Sequence, residues 1–291
     1  MLTESLHPES RGLDTRSVGE IFDLMSADNR AVLEAVEAAR ESICRAIEDA
    51  YITIRAGGTL LYAGAGTSGR LGVLDASEMY PTFSAPPTMI QAVIAGGTDA
   101  LTMPIEGAED NVVAGSDAVK SITSLDMVLG ITASGTAPYV LSALKEAKKQ
   151  GAKIWLLTCN NYICDFCPNS INVVTGPELI AGSTRLKAGT ATKIVLNLIS
   201  TAVMIKLGRV YDGYMVDVIP SNEKLKKRAI KIVSELTNCT TECASELIAA
   251  SGGNPKTAIL MELKKLTKGE AASALENSGG SLRAALSGVK V

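Results

Sequence analysis

Three stretches of this chain gather glycine, serine and threonine in a way that suits anion binding. They are Gly64-Ala65-Gly66-Thr67-Ser68-Gly69-Arg70, Thr132-Ala133-Ser134-Gly135-Thr136, and Gly182-Ser183-Thr184-Arg185-Leu186-Lys187-Ala188-Gly189-Thr190. Small residues let main-chain N–H groups come close to an anion, and the hydroxyls add donors. A helix opening after such a turn adds the positive end of its dipole. Arg70, Arg185 and Lys187 stand near helix starts, where a cation opposes the dipole at a cost of a few tenths to ~1 kcal/mol each. An anion bound between them removes that cost. The plainer alternative is that these side chains turn to solvent or pair with acids such as Glu178. One glycine-rich strand-to-helix turn is explained equally well by tight packing. Three of them, each carrying hydroxyls, favour one anion facing Gly66, Thr67, Ser68, Arg70, Ser134, Gly135, Thr136, Ser183, Thr184, Arg185 and Lys187.

Other chemistries fit less well. The Walker pattern Gly-x4-Gly-Lys-Ser/Thr is absent. Gly64 to Gly69 matches Gly-x-Gly-x-x-Gly, but the second strand ends Val93-Ile94-Ala95-Gly96-Gly97, without the acid a dinucleotide ribose needs. A nicotinamide cofactor is therefore a minor alternative, and no cofactor is expected. The chain has a single histidine, His7, which argues against a Ser-His-Asp triad or a multi-histidine metal site. Acid–base work falls to carboxylates, Lys, Tyr or Cys. By themselves, Glu78 reads as a solvated acid near a helix end and Glu109 as a first-turn acid. Cys159, Cys164 and Cys167 could hold zinc with Asp165 or water as fourth ligand, but free thiols are the favoured reading and no metal is expected. Cys239 and Cys243 read as core, and Tyr62 and Trp155 as packed strand residues.

The elements that must position these residues follow from periodicity. Hydrophobic residues make up 46% of the 291 residues and aromatics 4%, which suits helices packed closely on a parallel sheet. A net charge of −3 offers nothing to a nucleic-acid backbone or an anionic membrane. The first residues form no export signal, so a cytoplasmic protein with six reduced cysteines is expected. The apolar run Ile194 to Ile205 is too short to span a bilayer and reads as a buried helix. Ser17 and Glu20 fit a capping box, and a long amphipathic helix is expected over 31–56. Strands are expected at 59–63, 89–94, 126–131, 153–158 and 171–174, with helices at 108–121 and 139–149 among them. That alternation means a parallel sheet with right-handed crossovers, whose ligands lie beyond the carboxyl ends of the strands. From about 222 the chain is helical again, with segments opening at Lys224 and running over 239–250 and 255–265, and a last helix after Gly279-Gly280.

Tandem Ser/Thr turns on a five-stranded parallel sheet resemble the sugar isomerase (SIS) fold. Gly64 to Glu78, read as GAGTSGRLGVLDASE, resembles the motif of N-acetylmuramic acid 6-phosphate etherases almost residue for residue. So do Glu106-Gly-Ala-Glu-Asp110, Ala133-Ser-Gly135, Gly182 to Thr190, and Met215-Val-Asp-Val-Ile219 followed by Asn222-Glu-Lys-Leu225. The resemblance implies an arm with helices over 1–57, an SIS domain over 58–221 and a small helical, UBA-like bundle over 222–291. It implies a lyase that removes D-lactate from a sugar phosphate by elimination across C2 and C3 of the open-chain sugar and then addition of water. Glu78 would protonate the departing lactyl oxygen, and Glu109 would be the base at C2. Two carboxyls of unequal pKa can share that work without metal or histidine. A homodimer is also implied, and the helices at 31–56 and 184–207 carry more apolar surface than one sheet face needs. Two departures stand out: Thr136 where the family often has Arg, and Met79-Tyr80-Pro81 after the first motif instead of Cys-Pro-Pro. A non-catalytic sugar-phosphate sensor of the same fold is the alternative. An aldose–ketose isomerase fits poorly, because only His7 is available for ring opening.

Overall fold

The computed structural model describes residues 1–218 and 222–288. The amino-terminal arm makes three short 3-10 turns, Leu2–Glu4, Pro8–Ser10 and Leu13–Thr15. Helix α1 (Val18–Asp28) opens with the expected capping box: Ser17 accepts from the Glu20 N–H, and Glu20 accepts from the Ser17 N–H. The helix expected over 31–56 is two helices, α2 (Arg30–Ala38) and α3 (Arg40–Arg55). The break falls at Ala39, whose carbonyl accepts the Ser42 hydroxyl at 2.9 Å. Such a side-chain bond competes with the helical ladder and bends it.

Five parallel strands then alternate with helices, as the periodicity predicts. They are β1 (Leu60–Gly64), α4 (Gly66–Ser77), α5 (Met79–Phe83), β2 (Ile90–Ile94), α6 (Val112–Asp117), β3 (Met127–Ile131), α7 (Pro138–Lys149), β4 (Lys153–Thr158), β5 (Ser170–Asn172) and the long α8 (Lys187–Lys206). The strand order is β2-β1-β3-β4-β5, with every neighbouring pair parallel. β1 and β3 are buried along their whole length, which is why they read as continuous apolar runs. One expected helix is shorter than the sequence suggests. The stretch 108–121 becomes α6 alone, because the Asn111 side chain accepts the Ala114 N–H at 2.9 Å and starts the helix there. Residues 106–110 are therefore a turn.

Close contact between α4 and β1 fixes the first turn. A Cβ on Gly69 would lie 2.5 Å from Ile94 Cγ1 and 2.8 Å from the Gly64 carbonyl oxygen, so only glycine lets the helix start this close to the sheet. On one side the core gathers Leu61, Val128, Val140, Leu144 and Leu156. At β4, the Trp155 indole N–H donates to Asp49 of α3 at 2.9 Å, and Lys153 pairs with the same carboxylate. By length and composition α8 could cross a membrane, but Val195, Leu196, Ile199, Val203 and Met204 on it are fully buried.

Contacts divide the chain into two units. One holds Met1–Ser77 and Pro87–Ser200; the other holds Glu78–Pro86 and the described residues from Thr201 on. The second unit contains a short hairpin, β6 (Val210–Tyr211) with β7 (Tyr214–Met215), and helices α9 (Glu223–Thr237), α10 (Thr241–Ser251), α11 (Pro255–Lys264), α12 (Lys268–Asn277) and α13 (Leu282–Ser287). The sequence reading did not single out α12; its Thr267–Glu270 capping box is the signal that marks it. Val216, Val233, Ile259, Leu260 and Leu282 form this unit's core. Asp217 accepts from the buried Lys256 ammonium at 2.7 Å and lies 3.6 Å from Arg209. Ile219 of the fifth motif, and residue 221, where the expected domain boundary falls, lie outside the described residues.

Candidate active site

The three turns converge. At the carboxyl ends of β1 and β3 lies a cavity of about 270 Å³. Gly66, Thr67 and Ser68 of the first turn, Thr132 and Ser134 of the second, and Gly182 and Thr184 of the third line it. Two carboxylates line it as well: Glu109, as the sequence predicts, and Glu4, which the sequence reading did not single out. No basic side chain is among the lining residues.

The donors are main-chain and hydroxyl groups. Helix α4 has no side-chain cap, and among the described residues the hydroxyls of Thr67 and Ser68 bond to nothing in the protein. That open N-terminus offers N–H groups and a positive dipole end to an anion. In the second turn the Ser134 hydroxyl oxygen meets Thr132 Oγ1 at 3.1 Å and accepts from the Thr136 N–H at 3.1 Å and hydroxyl at 3.0 Å. Gly135 holds the turn at φ 90°, and a Cβ there would lie 2.5 Å from the Tyr162 ring.

The expected cations behave differently. Arg70 donates from Nε to the carbonyls of Ala100 and Leu101 at 2.9 and 3.2 Å, and from Nη2 to that of Met103 at 3.4 Å. It braces the turn after β2. Lys187 is buried and its ammonium lies 2.6 Å from Asp28, which also meets the His7 ring at 3.3 Å. Arg185 is exposed, and Ser183 is half-buried beside the cavity. Glu178 is fully buried, and its carboxylate accepts the Lys187 and Ala188 N–H groups at 3.0 and 2.9 Å. The start of α8 is therefore satisfied by the protein's own carboxylate, and α4 supplies the free helix end. The alternative reading of Glu178, as a partner of these basic side chains, gives way to a cap on the main chain.

Glu109 sits on an exposed turn, but its carbonyl accepts the Tyr139 N–H at 2.9 Å, which ties the turn to the start of α7. Residues 105–108 and Asn111 of the same segment line a second hollow of about 700 Å³ against the edge strand β2. Glu78 is exposed at the start of α5, as the first residue of the second unit. Behind the first turn, Asp75 of α4 is buried. Its Oδ2 accepts from the Tyr62 hydroxyl at 3.1 Å, and its Oδ1 from Asn197 and Ser200 of α8 at 2.7 and 3.0 Å. Burial raises this carboxyl's pKa, with the three donors opposing.

All six cysteines are free thiols. Cys159 Sγ donates to the Ala188 carbonyl at 3.5 Å and Cys167 Sγ to that of Asn169 at 3.4 Å; burial pushes both up to about 12. Among the described residues, no three Cys, His, Asp or Glu side chains gather as a metal cluster.

Known proteins resemble this chain in sequence and in fold. A family model described as the glucokinase regulatory protein N-terminal SIS domain matches residues 42–148. A phosphoheptose isomerase from Francisella tularensis superposes with a TM-score of 0.51 at 20% identity, over 65% of this chain and 99% of that one, which shows the shared fold. Curated sequences named N-acetylmuramic acid 6-phosphate etherase, from Picosynechococcus sp. and Synechocystis sp., are each 46% identical over 290 residues. These alignments cover 98% of this chain and 96% and 95% of those proteins. With that identity sustained from the arm to the last helices, the chain belongs to the N-acetylmuramic acid 6-phosphate etherase family.

Proposed function

We infer that this protein cleaves the D-lactyl ether of N-acetylmuramic acid 6-phosphate, giving N-acetylglucosamine 6-phosphate and D-lactate. One observation carries the reading from the structural side: a carboxylate, Glu109, lines the same small cavity as residues of all three anion-type turns. The sugar 6-phosphate binds at the open start of α4 and the Ser134 turn. Glu109 removes the proton at C2, acidified by the C1 aldehyde of the open chain. The C3–O bond breaks as Glu78 protonates the lactyl oxygen, and water then adds at C3. The base and the acid are carboxyl groups, and the route calls on no cofactor.

Assembly and compartment belong to the same proposal. Helix α1 buries none of its residues, leaving Val18, Phe22 and Met25 exposed, and Leu33 and Ile52 are exposed on α2 and α3. A homodimer covering these faces removes that apolar surface from water. The protein works in the cytoplasm, in amino-sugar metabolism and wall recycling, as an arm with helices, an SIS domain and a carboxyl-terminal bundle. Incubation of the pure protein with N-acetylmuramic acid 6-phosphate and an assay for D-lactate tests the activity. Binding without lactate release would identify a sensor instead.

A further inference from the structure

The elimination needs an aldehyde at C1, yet a sugar of this kind rests as a pyranose whose C1 is a hemiacetal. Water alone opens such a ring slowly, so a group that speeds the opening would serve the elimination. The only histidine, His7, pairs with Asp28 and is not among the cavity's lining residues. Glu4 and Glu109 are the titratable side chains that do line it, and Glu109 is committed to C2.

The backbone beside Glu4 is held firmly, and the Glu4 side chain itself is exposed. Its neighbour Thr3 is fully buried, and the Leu2 and Thr3 N–H groups donate to Asn160 Oδ1 at 2.8 and 3.4 Å. Asn160 Nδ2 donates to Thr3 Oγ1 at 3.1 Å, and the Gly182 N–H donates to the Thr3 carbonyl at 3.0 Å. The Glu4 carboxylate lies so close to the third turn that a Cβ on Gly182 would come within 2.8 Å of Oε2. An arm anchored this way is part of the site, not a displaceable cover. A carboxylate only accepts hydrogen bonds and repels a phosphate dianion, so it suits sugar hydroxyls.

Building on the etherase reading, we propose that Glu4 opens the sugar ring. The phosphate end of the sugar faces α4 and the C1 end faces Glu4. The carboxylate takes the proton from the C1 hydroxyl, whose oxygen forms the C1 carbonyl. The C1–O5 bond breaks with its electron pair going to O5, and the protonated Glu4 returns the proton there. The step is an isomerisation, and Glu4 ends as it began.

Ring opening can be read without lactate release, from exchange between the two anomers of N-acetylglucosamine 6-phosphate followed by two-dimensional exchange NMR. Wild type should accelerate exchange. Glu4→Gln should exchange on the order of 10²-fold more slowly, the usual size of an acid–base contribution, with product affinity by calorimetry unchanged. Exchange in Glu4→Gln equal to wild type overturns the proposal, as does wild type that does not accelerate exchange, or a Glu4→Gln deficit explained wholly by lost affinity. Glu4→Ala gives a second arm: added formate should restore its exchange, and no restoration counts against the assignment. Failure of wild type to release lactate would sink the etherase reading separately.

Discussion

The Lys187 ammonium lies 2.6 Å from the Asp28 carboxylate, with side chains only 4% and 12% exposed. A residue whose motif position suggests phosphate binding thus ties the start of α8 to the end of α1. Removing one member of a buried pair strands the other, at a cost of about 3–5 kcal/mol. Lys187→Met should lose stability of that order in urea unfolding. The double variant Asp28→Asn, Lys187→Met should recover part of it. The folded fraction of Lys187→Met should bind sugar phosphate with unchanged affinity; a phosphate-specific loss would return the lysine to the site.

Asp75 should make stability depend on pH. Its folded pKa is raised by burial, so its contribution is fully present below the unfolded value near 3.8 and is lost as pH climbs through the raised folded value. Asp75→Asn removes that titration. Wild type should therefore gain on Asp75→Asn as pH falls toward 4, and this is read from urea unfolding at pH 4 and pH 7. Asp75→Ala is different, because it leaves Tyr62 and Asn197 without their acceptor and opens a cavity. It should cost on the order of 3 kcal/mol at either pH.

Glu109 and Glu78 are exposed, and the structural bond at Glu109 uses its main-chain carbonyl. Alanine at either position should change stability by no more than about 0.5 kcal/mol. D-lactate release should fall by about 10²–10⁴-fold. Near-wild-type release from Glu109→Ala would remove it as the C2 base.

Gly135→Ala tests the second turn. The residue holds φ 90° and its Cβ would overlap the Tyr162 ring. The expected cost is about 1–3 kcal/mol in unfolding, with weaker sugar-phosphate binding as Ser134 is displaced. A variant as stable and as tight as wild type would show that the turn tolerates being reshaped.

The sheet was legible because its signals are local. Buried parallel strands read as short apolar runs, and hydroxyl-rich turns followed the strands at residues 64 and 132. Glycine spacing between residues 64 and 69 reflects a helix–strand contact made within a few residues. The missed features have non-local causes. The helix over 31–56 divides at Ala39 within an unbroken amphipathic pattern, and an asparagine cap delays α6.

The sequence by itself determined the alternation of strands and helices, the three donor turns and the family motifs, because each is written in neighbouring residues. Only the tertiary structure decided which charged groups face the cavity. Arg70 and Lys187 leave it because carbonyls of the turn after β2 and the carboxylate of Asp28 offer them closer partners. Glu4 enters it because Thr3 is bound to Asn160, 157 positions along the chain. Pairings across that separation carry no local pattern; the fold creates them by closing the arm onto the carboxyl ends of the strands.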